Sequence, residues 1–334
     1  MTVIEGEIND RLRAEWPGVV LGEPVPLSGG FWASMYRVPV SGQPEGVAPQ
    51  LVVRFAPHRA MGAKEAEVQR AIAAAGFPTP PVWLSAPDGV RGGWWSVMDF
   101  SPGSSLLSGL GGVAAIRRAP ALLRTLPVQL ATAAAALHRL DPAPVSAAVR
   151  TAAPTVAWST AEVIEQLRLG AEAVQRADVV AGLERLVLDQ PSTGSSEVVC
   201  HGDLHPFNVL ERDGALVVLD WTGAVLADPC FDLAFTELLL ANPPLPLPAP
   251  LRPVGRAVGR RLARRFVAAY AVLRPHTDLG PLPWFRALHS ARVLVEAERL
   301  RTEHGPTGGG HPFVALAPMA ARHLQVASGE AIER

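Results

Sequence analysis

Apolar positions from residue 3 to 15 recur at helical spacing, and the chain then turns to short β-branched runs, Val19 to Leu27, Phe31 to Val40 and Gln50 to Phe55, that read as strands. Ser28-Gly29-Gly30 separates the first two of these. A polar, helix-favouring segment runs from Met61 to Ala75. Gly76 with Pro78, Pro80 and Pro81 ends it before further strands near Val82 to Ser85 and Trp94 to Phe100. After Ser101-Pro102-Gly103 the period changes: long helices are predicted at about 120–140, 159–189, 228–241, 252–273, 283–303 and 312–328. The proline-rich run Asn242 to Pro253 reads as a surface connection. The pattern predicts an α+β chain with a β-rich part, 1–101, and a mostly helical part, 102–334.

One short stretch breaks the helical rhythm. Asn208 to Leu210 and Ala215 to Leu219 are apolar runs flanking Asp213-Gly214, the strongest short hairpin signal. With Asp213 and Gly214 as the two loop residues, Arg212 faces Ala215 and Asn208 faces Leu219, which brings Asp220 back beside Asn208. An amide and a carboxylate oxygen there suit a hard cation such as Mg²⁺, which takes one or two carboxylates plus phosphate oxygens. Asp203, five residues before Asn208 on a loop tightened by Gly202 and Pro206, is placed to accept the proton of an attacking hydroxyl, as the catalytic-loop aspartate does in phosphoryl transfer.

Composition narrows the partners. A formal net charge of -1 over 334 residues gives no electrostatic reason to expect nucleic acid or an anionic membrane. Cys200 and Cys230 are too few for a disulfide framework, and the acidic start (Glu5, Glu7, Asp10) lacks the features of a signal peptide. No apolar stretch reaches the roughly 20 uninterrupted residues of a membrane helix. A soluble cytoplasmic protein is expected, of a size that supports a substantial core. The sequence does not indicate an oligomeric state.

The pattern His201-Gly202-Asp203, four residues, Asn208, then Asp220-Trp221 and Asp232-Leu233-Ala234 resembles the aminoglycoside phosphotransferase and choline kinase superfamily, protein-kinase-like enzymes that phosphorylate small molecules. The resemblance implies a bilobal protein-kinase-like fold, with ATP or GTP and Mg²⁺ as cofactors and a small hydroxyl compound as acceptor. It implies Asp203 as catalytic base, Asn208 and Asp220 as magnesium ligands, and His201 and Asp232 as supports of the catalytic loop. It also gives meaning to the β-rich part. Ser28-Gly29-Gly30, by itself equally a plain turn, becomes a loop covering nucleotide phosphates. Arg54 stands where the family usually has lysine, a departure that keeps the charge. Glu65, preferred to Glu67, would pair with it, and Met98-Asp99-Phe100 resembles the hinge strand whose backbone reads the adenine edge.

Other readings compete. Asp228-Pro229 is the ordinary start of a helix, with a secondary place near the substrate rim as the alternative. His138 reads as an ordinary helix histidine. His201, Asp203 and His205 could be alternating ligands of a metallohydrolase, against which Gly202 and Pro206 disfavour a regular strand. Arg54 also motivates a catalytically silent, nucleotide-binding kinase-like protein. Between Arg252 and Arg301 arginine far outnumbers acid, which weakens the expectation of a polycationic aminoglycoside acceptor. Arg260, Arg261, Arg264 and Arg265 read as a solvated face.

Overall fold

The structure, a computed structural model, describes residues 3–27, 33–107, 112–191, 196–243 and 252–327. Two compact units are formed. The first comprises Met1–Leu106, Ala143–Val156 and Asn208–Thr222; the second comprises Leu107–Pro142, Ala157–Phe207 and Gly223–Arg334.

In the first unit, helix α1 (Val3–Glu15) precedes strands β1 (Val20–Leu21), β2 (Val25–Leu27), β3 (Ser34–Ser41) and β4 (Gln50–Ala56), then α2 (Arg59–Ala74), β5 (Val82–Pro87) and β6 (Trp94–Asp99). The antiparallel sheet has the order β1-β3-β4-β6-β5, with β2 also on β3. Strand alternation explains β4. Leu51, Val53 and Phe55 join Ile8 and Leu12 of α1 in the core, which leaves Val52 and Arg54 buried on the opposite face. Helix α2 stops where Gly76 takes a φ of 81°: its amide bonds Ala73 O and the Phe77 amide bonds Ile72 O, the paired closure that an αL glycine allows.

A second, three-stranded sheet has the order β10-β9-β7, from β7 (Ser104–Ser105), β9 (Val209–Arg212) and β10 (Ala215–Val218). The hairpin register is the one its sequence predicts, Arg212 opposite Ala215 and the Leu219 amide on Asn208 O at 2.8 Å. Asp213 and Gly214 have φ of 51° and 81°, both positive as the mirror-image turn requires. Val218 donates its amide to Pro78 O, and Ala153 and Val156, after α4 (Pro142–Ala152), pack with Ala63 of α2. These ties explain why the compact units are drawn differently from the contiguous spans 1–101 and 102–334: segments 143–156 and 208–222 belong with the first sheet.

The second unit holds α3 (Gly112–Leu137), α5 (Thr160–Ala173), α6 (Ala177–Leu188), β8 (Val198–Cys200) paired with β11 (Val225–Ala227), α7 (Cys230–Ala241), α8 (Arg252–Leu273), α9 (Leu282–His304) and α10 (Pro312–Ala327). Helix α7 is buried nearly all round, including Phe231, Asp232, Leu233 and Phe235, and so forms the centre of this unit. The single helix predicted over 159–189 is two. Gln175 takes a φ of 58°, its amide bonds Glu172 O and the Arg176 amide bonds Ala171 O. This is the same closure as at Gly76, made with a residue whose sequence gives no warning of it. No described helix is long and apolar enough to cross a membrane.

Candidate active site

In the first unit, Arg54 on β4 meets Glu65 on α2 at 2.9 Å, both side chains at most a tenth exposed. Arg54 Nε is buried and has no hydrogen-bond partner among the described residues, so the guanidinium keeps a donor to offer. Burial, which outweighs the attraction of Arg54, together with the nearby charge of Asp220 pushes the Glu65 carboxyl up to about 7. The folded state holds this proton more tightly than an unfolded chain, whose glutamate titrates near 4.5. Stability therefore falls as pH rises from about 4.5 to about 7, by on the order of 3 kcal/mol if this group acts alone. Glu65→Gln should flatten that slope in thermal melts. An unchanged slope would exclude Glu65 as its source.

The hairpin carries Asn208 and Asp220 to the same end of β9 and β10. Asp220 has a φ of 64°, a strained left-handed backbone for a non-glycine residue, and its Oδ1 accepts from the Thr222 hydroxyl at 2.7 Å. Trp221 is fully buried beside it, donating Nε1 to Thr79 Oγ1 at 2.9 Å and meeting Phe77 edge-on. A carboxylate and an amide oxygen brought together by the ladder form a donor set that fits Mg²⁺. On β6 and beyond, the amides of Asp99 and Phe100 are donated to Pro81 O and Gln50 O, and the Asp99 carboxylate accepts from Trp83 Nε1 at 2.7 Å. Met98 Sδ faces the amide of Gln69. Those two amides are committed within the fold. Ser28, Gly29 and Gly30 lie outside the described residues.

In the second unit, Asp232 on α7 is fully buried and accepts three bonds, from the His201 amide at 2.8 Å, the Gly202 amide at 2.6 Å and His138 Nε2 at 3.1 Å. Burial alone would raise its pKa, but these bonds and the adjacent imidazoles hold it below the usual carboxylate range. His138 is fixed in turn by the Tyr270 hydroxyl at 2.7 Å. Asp232→Ala would strand two backbone amides and an imidazole, and should cost about 3–5 kcal/mol in denaturant unfolding. A loss under about 1 kcal/mol would show that the brace is dispensable.

Gly202, with a φ of 72°, passes so close to Gly223 that a Cβ would lie 1.9 Å from the Gly223 carbonyl oxygen. The following amide, Asp203 N, donates to His201 Nδ1 at 3.2 Å. The Asp203 carboxylate has His205 Nε2 at 3.6 Å and Arg292 Nη2 at 3.9 Å. Burial opposes its ionisation, yet the hydrogen bond and charge of His205, with Arg292 and His201, lower its pKa well below the ordinary value. Arg292, from α9, also donates to Gly202 O at 2.5 Å and lies 4.8 Å over the Phe235 ring. Asp228 caps α7: its Oδ1 accepts the Cys230 amide at 2.8 Å, and Pro229 already has helical dihedral angles.

Two residues escaped the sequence reading. His138 is the partner of Asp232, where an ordinary helix histidine was expected, and Arg292 sits in an arginine-rich segment that offers nothing to single it out. The alternating-ligand arrangement of His201, Asp203 and His205 does not form. Gly202 breaks the strand alternation it needs, and His201 is fully buried with Nδ1 engaged. Among the described residues, the metal-capable side chains close enough to share an ion are His138, Cys200 and Asp232. There Asp232 already accepts three bonds, and burial pushes the Cys200 thiol well up, away from thiolate.

The antiparallel sheet with its α2 glutamate and the helical unit with its braced loop define the bilobal protein-kinase-like α+β fold. The same fold is seen in the aminoglycoside phosphotransferase APH(4)-Ia, crystallised with AMP-PNP and hygromycin B (TM-score 0.62, 16% identity, 98% of this chain and 100% of that one). It is seen in choline kinase from Cryptosporidium parvum Iowa II (0.62, 13%, 98% and 96%) and in a Ralstonia eutropha JMP134 protein provisionally described as an aminoglycoside phosphotransferase (0.66, 16%, 98% and 97%). No protein of curated function matches the sequence. The profile of the phosphotransferase enzyme family (APH) matches residues 24–277, and the chain belongs to that family. Family and fold support a small-molecule, kinase-like phosphotransferase.

Proposed function

We propose that the protein transfers the γ-phosphoryl group of ATP, or GTP, directly to a hydroxyl of a small molecule. The observation that carries the reading is the catalytic loop. Asp232 fixes the amides of His201 and Gly202, and the next residue is an aspartate kept ionised by His205 and Arg292. Asp203 would orient the acceptor and take its proton as the oxygen bonds to the γ-phosphorus and the bond to the β-phosphate oxygen breaks. Asn208 and Asp220 would hold Mg²⁺, which when bound screens charge on the phosphate oxygens. Arg54, oriented by Glu65 and with its Nε still to be satisfied, would grip phosphate, with Ser28-Gly29-Gly30 covering it. No covalent enzyme intermediate is required.

The acceptor is proposed to be a neutral or weakly charged hydroxylated compound. Arg292 Nη2 lies 3.9 Å from the Asp203 carboxylate, a fixed positive charge that suits a polycation poorly. Both cysteines are buried and free, which agrees with a cytoplasmic setting. The test is a screen of sugars, amino alcohols and hydroxylated antibiotics for phosphorylated product by mass, with Mg²⁺ and either nucleotide. A single phosphorylated acceptor supports the reading. Tight nucleotide binding with no product from any hydroxyl compound supports instead the silent, kinase-like binder that Arg54 motivates.

A further inference from the structure

The second unit contains a cavity of about 140 Å³ whose lining includes Ser159, Gln190, Glu197, Asp228, Trp284 and Phe285. Such a volume holds a benzene-sized molecule. Asp228 is 3% exposed; its Oδ1 accepts the Cys230 amide, and the Cys230 thiol also interacts with the carboxylate. Oδ2 is buried without a hydrogen-bond partner among the described residues. An acceptor left in that state costs about 1–3 kcal/mol, and more when charged.

Two other polar groups of the wall are committed elsewhere. Ser159 Oγ donates to Glu162 Oε2 at 2.9 Å and accepts the Glu162 amide, the closed capping box that begins α5. Trp284 Nε1 donates to Leu186 O at 2.9 Å. The charges acting on Asp228 include Asp278, which opposes its ionisation, and His138, which favours it; burial is the largest influence and raises its pKa. No arginine or lysine pairs with Asp228 or with the exposed Glu197 among the described residues. Two of the helix starts that meet the cavity are already neutralised, α5 by Glu162 and α7 by Asp228 itself, whereas that of α9, which carries Trp284 and Phe285, has no side-chain cap.

The cavity thus presents an unfilled acidic acceptor, a second carboxylate and an aromatic wall. An anion would meet two carboxylates. A divalent ion would want more oxygen ligands than are gathered here, and among the described residues Asp228 belongs to no group of three metal-capable side chains. A compact cation carrying N–H donors satisfies Oδ2 and is attracted by the ring faces.

We infer that this cavity binds a small primary ammonium compound, its N–H donating to Asp228 Oδ2 and its carbon skeleton lying against Trp284 and Phe285. The inference stands whether or not the chain turns over ATP, since its test reads binding alone. The full chain would be titrated with ethylammonium chloride by calorimetry, with sodium chloride, magnesium chloride, tetramethylammonium chloride, sodium acetate and ethanol as separate arms. Saturable binding of ethylammonium alone is expected, weakened at least about tenfold in Asp228→Asn. It should also fade in the wild type as the pH falls and Asp228 takes up a proton. Absence of saturation, equal binding of tetramethylammonium or acetate, or affinity unmoved by the variant would overturn it. Should Asp228→Asn fail to fold, the wild-type pH series decides, and pH-independent binding would sink the assignment.

Discussion

Asp203→Asn is expected to lower turnover by about 10²- to 10⁴-fold while leaving nucleotide affinity within a factor of about two. Asparagine has nearly the same shape, and the amide bond from Asp203 N to His201 Nδ1 does not depend on the side chain, so the loop should persist. What is lost is the anionic acceptor beside Arg292 and His205. Rapid-quench measurement of one turnover, alongside equilibrium binding of a nonhydrolysable nucleotide, separates the two quantities. Retention of more than about a third of the wild-type rate would remove Asp203 from the chemistry.

Asp220→Ala should abolish metal-dependent turnover, with no recovery at high Mg²⁺. Alanine also pays a steric penalty of roughly 1–2 kcal/mol in the left-handed backbone that Asp220 adopts, so a loss of activity could come from the fold. Asp220→Asn isolates the cause, because asparagine tolerates that conformation and offers a neutral oxygen in place of a charged one. The asparagine variant should melt like the wild type yet need far more Mg²⁺ for half-maximal rate. Near-normal activity in both variants would refute the metal assignment.

Much of this was legible because the signals are local. The hairpin could be placed to the residue, since Asp213-Gly214 supplies both positive φ angles, and α8, α9 and α10 were bounded closely by their periodicity. Helix α4 was not foreseen; its Pro142 and Pro144 both fall in the first turn, where no amide donor is needed. The break at Gln175 was hidden because a glutamine fills a place usually marked by glycine. Strands β8 and β11 are three residues each and find one another across 24 intervening residues, a pairing that no local pattern announces. For the same reason His138 and Arg292 could not be seen: each earns its role from a partner on another helix, Asp232 for one and Gly202 O for the other.

The first unit is assembled from three separate stretches of chain, and β7 waits for β9, more than a hundred residues later, to pair with it. During synthesis, the strands up to residue 106 leave the ribosome long before the hairpin that completes their unit. Nascent chains halted before residue 222 should therefore expose Phe77 and Thr79 to proteases. Release past Trp221 would close that window.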